Sequence, residues 1–370
     1  MIILHFALKN EWDENEQIYS NKEGFIKCYK VSDAENLKLS FSTLKDYVIL
    51  CIDESKITSE IKYENDSNSG LETANIYGEL NKEAVIKVLP YTFDSEDNFI
   101  VTDEILDFNI INEVLNKLNI NYESYKYFND GTSSKIILLN NAYIIKQTDS
   151  TLLEGEVIFS NFYNDVEKLQ KIAYFEPNYK YVVYSYIPGD VMHVITDFED
   201  IISNIKQIVS SYKTYEKEGF GYLSNPVENW TDFLKNEVSE SSLLLPDINN
   251  LLPEINEAIA KLDKYSFEKK LIHGDFGTHN FIKEDEKFKA AIDPTPIIGD
   301  STYDLIFALV SNIDLLPNLS IDFLTEFTSE PREKIVALFK ILLYIRICRC
   351  AKYNKEWIET YMDYWYNLFN

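Results

Sequence analysis

Apolar residues along this chain recur with two periods, and the change from one to the other divides it. In residues 1–90 they fall mostly in short runs. Ile2 to Leu8 predicts a strand, and Glu23 to Cys28 a second one entered through a Gly turn. Tyr47 to Ile52 (YVILCI) is a continuous apolar run of the kind found in a buried central strand. Asp33 to Leu44 has helical spacing, and Ala84 to Leu89 is a further strand. Tyr91 to Asp103 is acidic and rich in turn residues. Glu104 to Leu118 then places Ile105, Phe108, Val114 and Leu118 on one helical face.

From Tyr122 to Thr148 the pattern predicts strand, loop, strand, hairpin and strand, with a small polar loop from Asn129 to Ser134. A helix follows from Leu152 to Tyr163, then strands near Ile172 to Phe175 and from Tyr181 to Ile187, ending at Pro188-Gly189. Beyond them helical spacing prevails, over Phe198 to Glu216, Trp230 to Val238, Asp247 to Leu262, Tyr303 to Ser311 and Pro331 to Phe369. The expected architecture is α+β. A small α+β domain covers 1–98, a linker 99–106, a β-rich lobe 107–188 and a helical lobe 189–370.

Composition narrows the possible partners. With 35 basic against 61 acidic residues, the formal charge is −26. Such a chain is a poor ligand for nucleic acid or an anionic membrane, because phosphate neutralisation needs clustered Lys and Arg. The charge is spread along the chain and marks no site. Cys28, Cys51, Cys348 and Cys350 have no zinc-site spacing. The opening MIILHFALKNEW lacks the basic start and apolar length of a secretory leader, and Ile335 to Ile347 is interrupted by Lys340 and Arg346. A cytoplasmic protein, monomeric or homodimeric, is expected.

The richest chemistry lies between Leu271 and Asp304. Phosphoryl transfer to a hydroxyl needs an oriented hydroxyl, neutralised phosphates and bound Mg2+. Asp275 is the candidate to accept or orient the hydroxyl proton. Asn280 and Asp293 offer hard oxygens to magnesium. Lys146, on a strand after the small-residue loop, is placed to hold phosphates, with Glu154 or Glu156 fixing its rotamer; Glu156 fits slightly better. Ser133 and Ser134 belong to a loop small enough to approach phosphates closely. Ser185 and Ile187 offer backbone groups to an adenine edge. His273 reads as a brace of its loop, and His279 as a loop histidine near the substrate.

These residues carry a resemblance. His273-Gly274-Asp275 to Asn280 matches H-G-D-x4-N. Ile292-Asp293, Gly299-Asp300 and Asp304-Leu305 match the acidic run that follows it. With Pro188-Gly189, Gly219 to Leu223 and Trp230, residues 107–370 resemble the aminoglycoside phosphotransferase and choline kinase group. The resemblance implies a bilobal protein-kinase-like fold, ATP (or GTP) with Mg2+, and a small-molecule hydroxyl acceptor. It also implies a structural role for Asp300 and Asp304. By the same analogy the acceptor site falls near the helical insert from Phe198 to Leu262, with an aminoglycoside or other cationic alcohol as acceptor and antibiotic resistance among the implied roles. Its acids Asp232, Glu237 and Glu240 could receive a cationic amine, but each taken singly reads first as part of a solvated helix face.

Residues 1–90 resemble a small bacterial domain family of unknown function, likened to the ADP-ribosyltransferase fold. The match is carried by His5, Glu23 to Ile26, Cys28 and Tyr77-Gly78. Lys27 and Asn75 stand at or near positions where that family has histidines. Two other readings stay open: a catalytically weak nucleotide-binding regulator, and a bifunctional protein with a transferase-like N-terminal domain, against which Lys27 and Asn75 count.

Overall fold

The computed structural model describes residues 1–12, 16–20, 24–37, 46–67, 69–94, 99–128 and 134–369. Contacts divide the chain into two units, Met1–Tyr127 with Ile137–Asn141, and Phe128–Ile136 with Ala142–Asn370. Among the described residues no helix is long and apolar enough to cross a membrane.

The first unit is built on a six-stranded antiparallel sheet, ordered Glu60–Asn65, Glu72–Tyr77, Ile26–Lys30, Ile2–Leu8, Tyr47–Asp53 and Val85–Pro90. Strand alternation sends Ile3, Cys28, Leu50, Ile52, Ala74 and Ile76 into one core. The helix Asp103–Leu118 belongs to the same unit, and its Asn112 both accepts from Ile2 N–H at 2.7 Å and donates to Ile2 C=O at 2.9 Å. The helix expected from Asp33 to Leu44 is replaced by a 3-10 segment, Val31–Asn36. Its buried Val31 and Ala34 are three apart, the 3-10 repeat. Residues 38–45 of that expectation lie outside the described residues.

In the second unit, Tyr143–Gln147 pairs antiparallel with Val182–Ser185, which also pairs with Ile172–Phe175. The helix Ser150–Phe162 follows, its first turn capped by the Asp149 carboxylate, which accepts from Thr151 N–H at 2.9 Å. The helices Trp230–Ser242, Leu252–Leu262, Ser301–Val310, Ile321–Thr328 and Ile358–Phe369 pack on Arg332–Tyr353, whose buried positions run round most of its circumference. Two helices are shorter than expected. Phe198–Ser210 stops before Glu216 because the chain is then drawn beside Lys270–Ile272, with Leu271 N–H on Lys213 C=O and Tyr215 N–H on Lys269 C=O. The last helical span breaks at Asn354, whose non-helical backbone is held by Arg346 Nη2 on its Oδ1 at 3.0 Å.

The twelve residues between Asn280 and Asp293 form a hairpin. Phe281–Glu284 pairs with Lys287–Ala291 across a two-residue turn, Asp285 and Glu286, both at positive φ (50° and 61°). Two such residues make a type I′ turn, whose twist suits the flanking strands. A one-residue bulge then shifts the register so that Phe281 faces Ala291, and Ile292 N–H reaches Asn280 C=O at 2.9 Å. The bulge therefore brings Asp293 beside Asn280.

Glu286 bears a left-handed conformation that a Cβ disfavours. Glu286→Gly is expected to raise stability by about 1 kcal/mol, as a higher thermal midpoint, since the exposed Lys283–Glu286 pair it removes contributes little. An unchanged or lower midpoint would contradict this account of the turn.

His5 in the first unit is buried, with Nδ1 on Lys27 C=O at 2.8 Å and Nε2 3.1 Å from the Tyr19 hydroxyl. Burial lowers its pKa to about 4, against the partial support of the Lys27 carbonyl. Between pH 6.5 and 4 the unfolded chain therefore binds a proton that the folded one does not, so stability is full above that window and falls as pH drops through it. Hydrogen-exchange protection in Ile2–Leu8 should decline over this range, and His5→Gln should flatten the decline.

Candidate functional site

Lys146 lies on the strand Tyr143–Gln147, opposite Val182 in register, with an ammonium that is almost wholly buried. A buried ammonium requires opposite charge around it. The helix Ser150–Phe162 turns Glu156 inward, and Lys146 Nζ donates to its Oε1 at 2.7 Å. Glu154, one turn-position away, is exposed. The second oxygen of Glu156 accepts from the Tyr184 hydroxyl at 2.5 Å. Tyr184 is the diagonal cross-strand neighbour of Lys146, within reach of a long side chain. Lys146 also pairs with the Asp293 carboxylate. Burial alone would lower the ammonium's pKa, but Glu156 and Asp293 outweigh it and raise it, so the group stays charged.

Asp293 holds φ at +59°, uncommon for a residue with a side chain, and its carboxylate is 53% exposed. Such a conformation persists only where its surroundings over-determine it. Asn280 sits against it from the hairpin. The Asn280 amide nitrogen donates to the Asp275 main-chain oxygen at 2.9 Å and to Asp275 Oδ2 at 3.0 Å. A carbonyl oxygen could not face those two acceptors, so the amide oxygen is the end turned away from them.

Asp275 is reached from the strand Lys270–Ile272 through Gly274. Gly274 has φ +79°, and a Cβ there would run into the Thr295 carbonyl, so only glycine fits. Asp275 Oδ2 also meets His279 Nε2 at 3.2 Å, and no described residue bonds Oδ1. Burial pushes the Asp275 carboxyl up, but the His279 hydrogen bond and the charges of His279, His273 and Arg349 outweigh it and hold the group well below the usual carboxylate range.

Beneath the loop, His273 is fully buried, and burial lowers its pKa to about 4 against the Asp275 charge and the Ile292 hydrogen bond. It is therefore neutral, and since a carbonyl only accepts, its proton is on Nε2, donated to Ile292 C=O at 3.0 Å. That bond ties the Asp275 loop to the residue before Asp293. Asp304 accepts from His273 N–H at 2.7 Å, Gly274 N–H at 3.0 Å and the Tyr212 hydroxyl at 2.8 Å. Burial still pushes its carboxyl up to about 7. Asp300 caps the helix Ser301–Val310 through Thr302 N–H and meets Lys334 Nζ at 2.9 Å.

The residues singled out in the sequence are thus distributed as follows. Lys146, Glu156, Asp275, Asn280 and Asp293 form one hydrogen-bonded cluster. Ser185 ends the strand paired to Tyr143, and its N–H donates to Lys171 C=O at 2.9 Å. Ile187 follows two residues later. Ser134 opens the strand Lys135–Leu139 and takes no part in the cluster, and Ser133 lies outside the described residues. Asp232 is exposed to solvent on one side and paired with Lys235, and Glu240 is fully exposed. Glu237 is buried, with Oε1 accepting from Tyr222 at 2.8 Å and Oε2 from Arg349 at 2.7 Å. Glu237 is thus neither a solvated helix face nor open to a cationic amine, being buried with each oxygen already bonded to a neighbour. Sequence reasoning missed Tyr184 and Arg349. Tyr184 had a signal, being spaced to share a sheet face with Lys146; Arg349 lay between two cysteines in an apolar helix and had none.

In the first unit, Lys27 and Asn75 are opposite each other in register. Lys27 pairs with Asp66 at 3.3 Å, and Asn75 donates to Glu64 at 2.7 Å. His5 makes its contacts through the Lys27 carbonyl, not the side chain.

Residues 7–88 match a family described as "Protein of unknown function (DUF952)", beginning two residues after His5. No curated protein matches the chain. Among solved structures, the ternary complex of a thermostable aminoglycoside phosphotransferase APH(4)-Ia mutant with AMP-PNP and hygromycin B is 11% identical, covering 68% of this chain and 95% of that one, with a TM-score of 0.50. The GDP and kanamycin complex of APH(2")-IIia is 15% identical over 71% of this chain and 100% of that one, with a TM-score of 0.49. The streptomycin–ATP complex of APH(2")-IIa is 15% identical over 71% and 96%, with a TM-score of 0.44. The first of these likenesses shows the fold: α+β, with the kinase-like plan of the aminoglycoside phosphotransferases.

Asp304→Ala leaves two buried N–H groups and a hydroxyl without an acceptor and is expected to cost about 3 kcal/mol or more. Asp304→Asn, which keeps one acceptor oxygen, should cost less. Denaturant midpoints followed by tryptophan fluorescence would rank the two, and equal losses would contradict the bracing role.

Proposed function

We propose that this chain is a nucleotide-dependent phosphotransferase that moves the γ-phosphoryl group of ATP (or GTP) to a hydroxyl of a small molecule. The observation that carries the reading is one ammonium, Lys146, held between Glu156 and Asp293, with Asn280 joining Asp293 to Asp275. The nucleotides and aminoglycosides bound by the proteins of similar fold support it. We also read residues 1–98 as the body of a domain of its own, to which the helix Asp103–Leu118 adds in the structure.

Lys146 holds the α- and β-phosphates, its rotamer set by Glu156. The backbone of Ser185 and Ile187 meets the base, and Ser133 and Ser134 stay the small residues proposed to approach the phosphates. The donor set fits Mg2+. One exposed carboxylate, Asp293, and one amide oxygen, Asn280, suit an ion that takes few protein ligands and completes its shell with water and phosphate. Bound there, the ion would neutralise charge on the phosphates.

Asp275 directs the acceptor hydroxyl through Oδ1. With its pKa held low it is a weak base, so it orients the hydroxyl and takes the proton only as the oxygen–phosphorus bond forms and the bond to the β-phosphate oxygen breaks. His279 keeps the carboxylate turned through Oδ2.

A coupled assay with Mg-ATP and a panel of alcohols tests this. Asp275→Asn should lower kcat by about 10²- to 10⁴-fold with nucleotide affinity intact. Lys146→Met should weaken nucleotide binding itself. Full turnover by Asp275→Asn on an accepted substrate would remove Asp275 from the reaction.

A further inference from the structure

Beside Asp275 stands a second charged assembly. Tyr222 lies on the short strand Gly221–Tyr222, opposite Ile297, which in turn faces Ile272, three residues before Asp275. Its hydroxyl donates to Glu237, and Glu237 accepts from Arg349. The Arg349 guanidinium lies over the Phe307 ring, 5.8 Å from its centroid. One helical turn further on, Ser311 Oγ accepts from Thr278 N–H at 3.0 Å, in the loop that carries Asp275 and His279. The strand of Ile297 and the helix of Phe307, both of which meet this assembly, thus flank the loop that carries Asp275.

Stability alone does not account for this assembly. Glu237 is 3% exposed, and a buried ion pair is often no better for stability than an apolar pair of similar volume. Arg349 has five N–H donors, of which the described structure commits one hydrogen bond, and its side chain is 27% exposed. Glu237, with Tyr222 behind it, holds the guanidinium and leaves its other donors unspent.

We propose that Arg349 is a specificity-determining residue for the acceptor, binding an anionic oxygen group on the same molecule as the hydroxyl that Asp275 orients, with Glu237 as its positioning residue. The inference rests on the phosphotransferase reading. It specifies the acceptor as an oxyanion-bearing alcohol, such as a hydroxy acid, in place of the polycationic alcohol expected from resemblance. A guanidinium matches a carboxylate through paired N–H donors and repels an ammonium. The acidic net charge does not oppose this, because exposed charges beyond about 8 Å are largely screened at physiological salt.

The test uses the full chain with Mg-ATP and five acceptors: gluconate, glycerate, glucose, choline and kanamycin. Wild type should phosphorylate an acid in preference to choline or kanamycin. Arg349→Met should raise KM for that acid by about tenfold or more, the loss of a hydrogen bond to a charged group, with a smaller change in kcat. Arg349→Lys, which keeps the charge without the fork, should recover part of the loss, and Glu237→Gln should shift KM in the same direction. Circular-dichroism melts of each variant separate lost binding from lost folding. If choline or kanamycin is preferred and Arg349→Met leaves its KM unchanged, the inference falls while the phosphotransferase reading stands. If wild type binds nucleotide and transfers to none of the five, and an unbiased alcohol screen is also silent, both fall.

Discussion

An ammonium withdrawn from water needs compensating charge, and Lys146 finds it from two directions. Glu156 comes from the helix that follows its strand, and Asp293 from a hairpin nearly one hundred and fifty residues later. Removing either acid would leave a buried cation with half its compensation, a costly state. Strand, helix and hairpin are thus held to one relative placement by a single side chain. Gly155, next to Glu156, reinforces that placement: a Cβ there would press on Pro296 at 3.3 Å, so the helix lies close against the loop that follows Asp293.

A second constraint works beneath the first. Asp304 gathers two backbone N–H groups of the Asp275 loop and the Tyr212 hydroxyl, and neutral His273 ties that loop to Ile292. Asp275 itself is spared structural work on one oxygen. The acids of this segment therefore differ by environment: Asp304 buried and pushed up, Asp275 held low, Asp293 exposed and paired with Lys146. Perturbed and paired groups of this kind are what a site handling phosphate charge requires. The Glu237–Arg349 pair is a second buried compensation of the same kind.

Much of the fold was legible because its signals are local. The strand of Ile2–Leu8 and the helix of Asp103–Leu118 follow from periodicity, and the helix ends where Asn119 adopts the left-handed conformation. The helix ends that were misplaced were decided by distant partners: residues 213–215 by the strand at 270–272, and Asn354 by the Arg346 side chain. The candidate site divides in the same way. Asp275, Asn280 and Asp293 stand in one short segment with telling spacing, whereas Arg349 gave no signal inside an apolar helix.

By itself the sequence determined the α+β class, the order of strands and helices, and which acids, amide and lysine were chemically eligible, since each depends on residue type and near-neighbour spacing. Only the tertiary structure decided which of them meet. It turned Glu156 and not Glu154 to Lys146, used a hairpin bulge to set Asp293 beside Asn280, and closed Glu237 with Arg349. Those choices depend on distances between residues far apart in the chain, and such distances come from packing and register, which no local pattern contains.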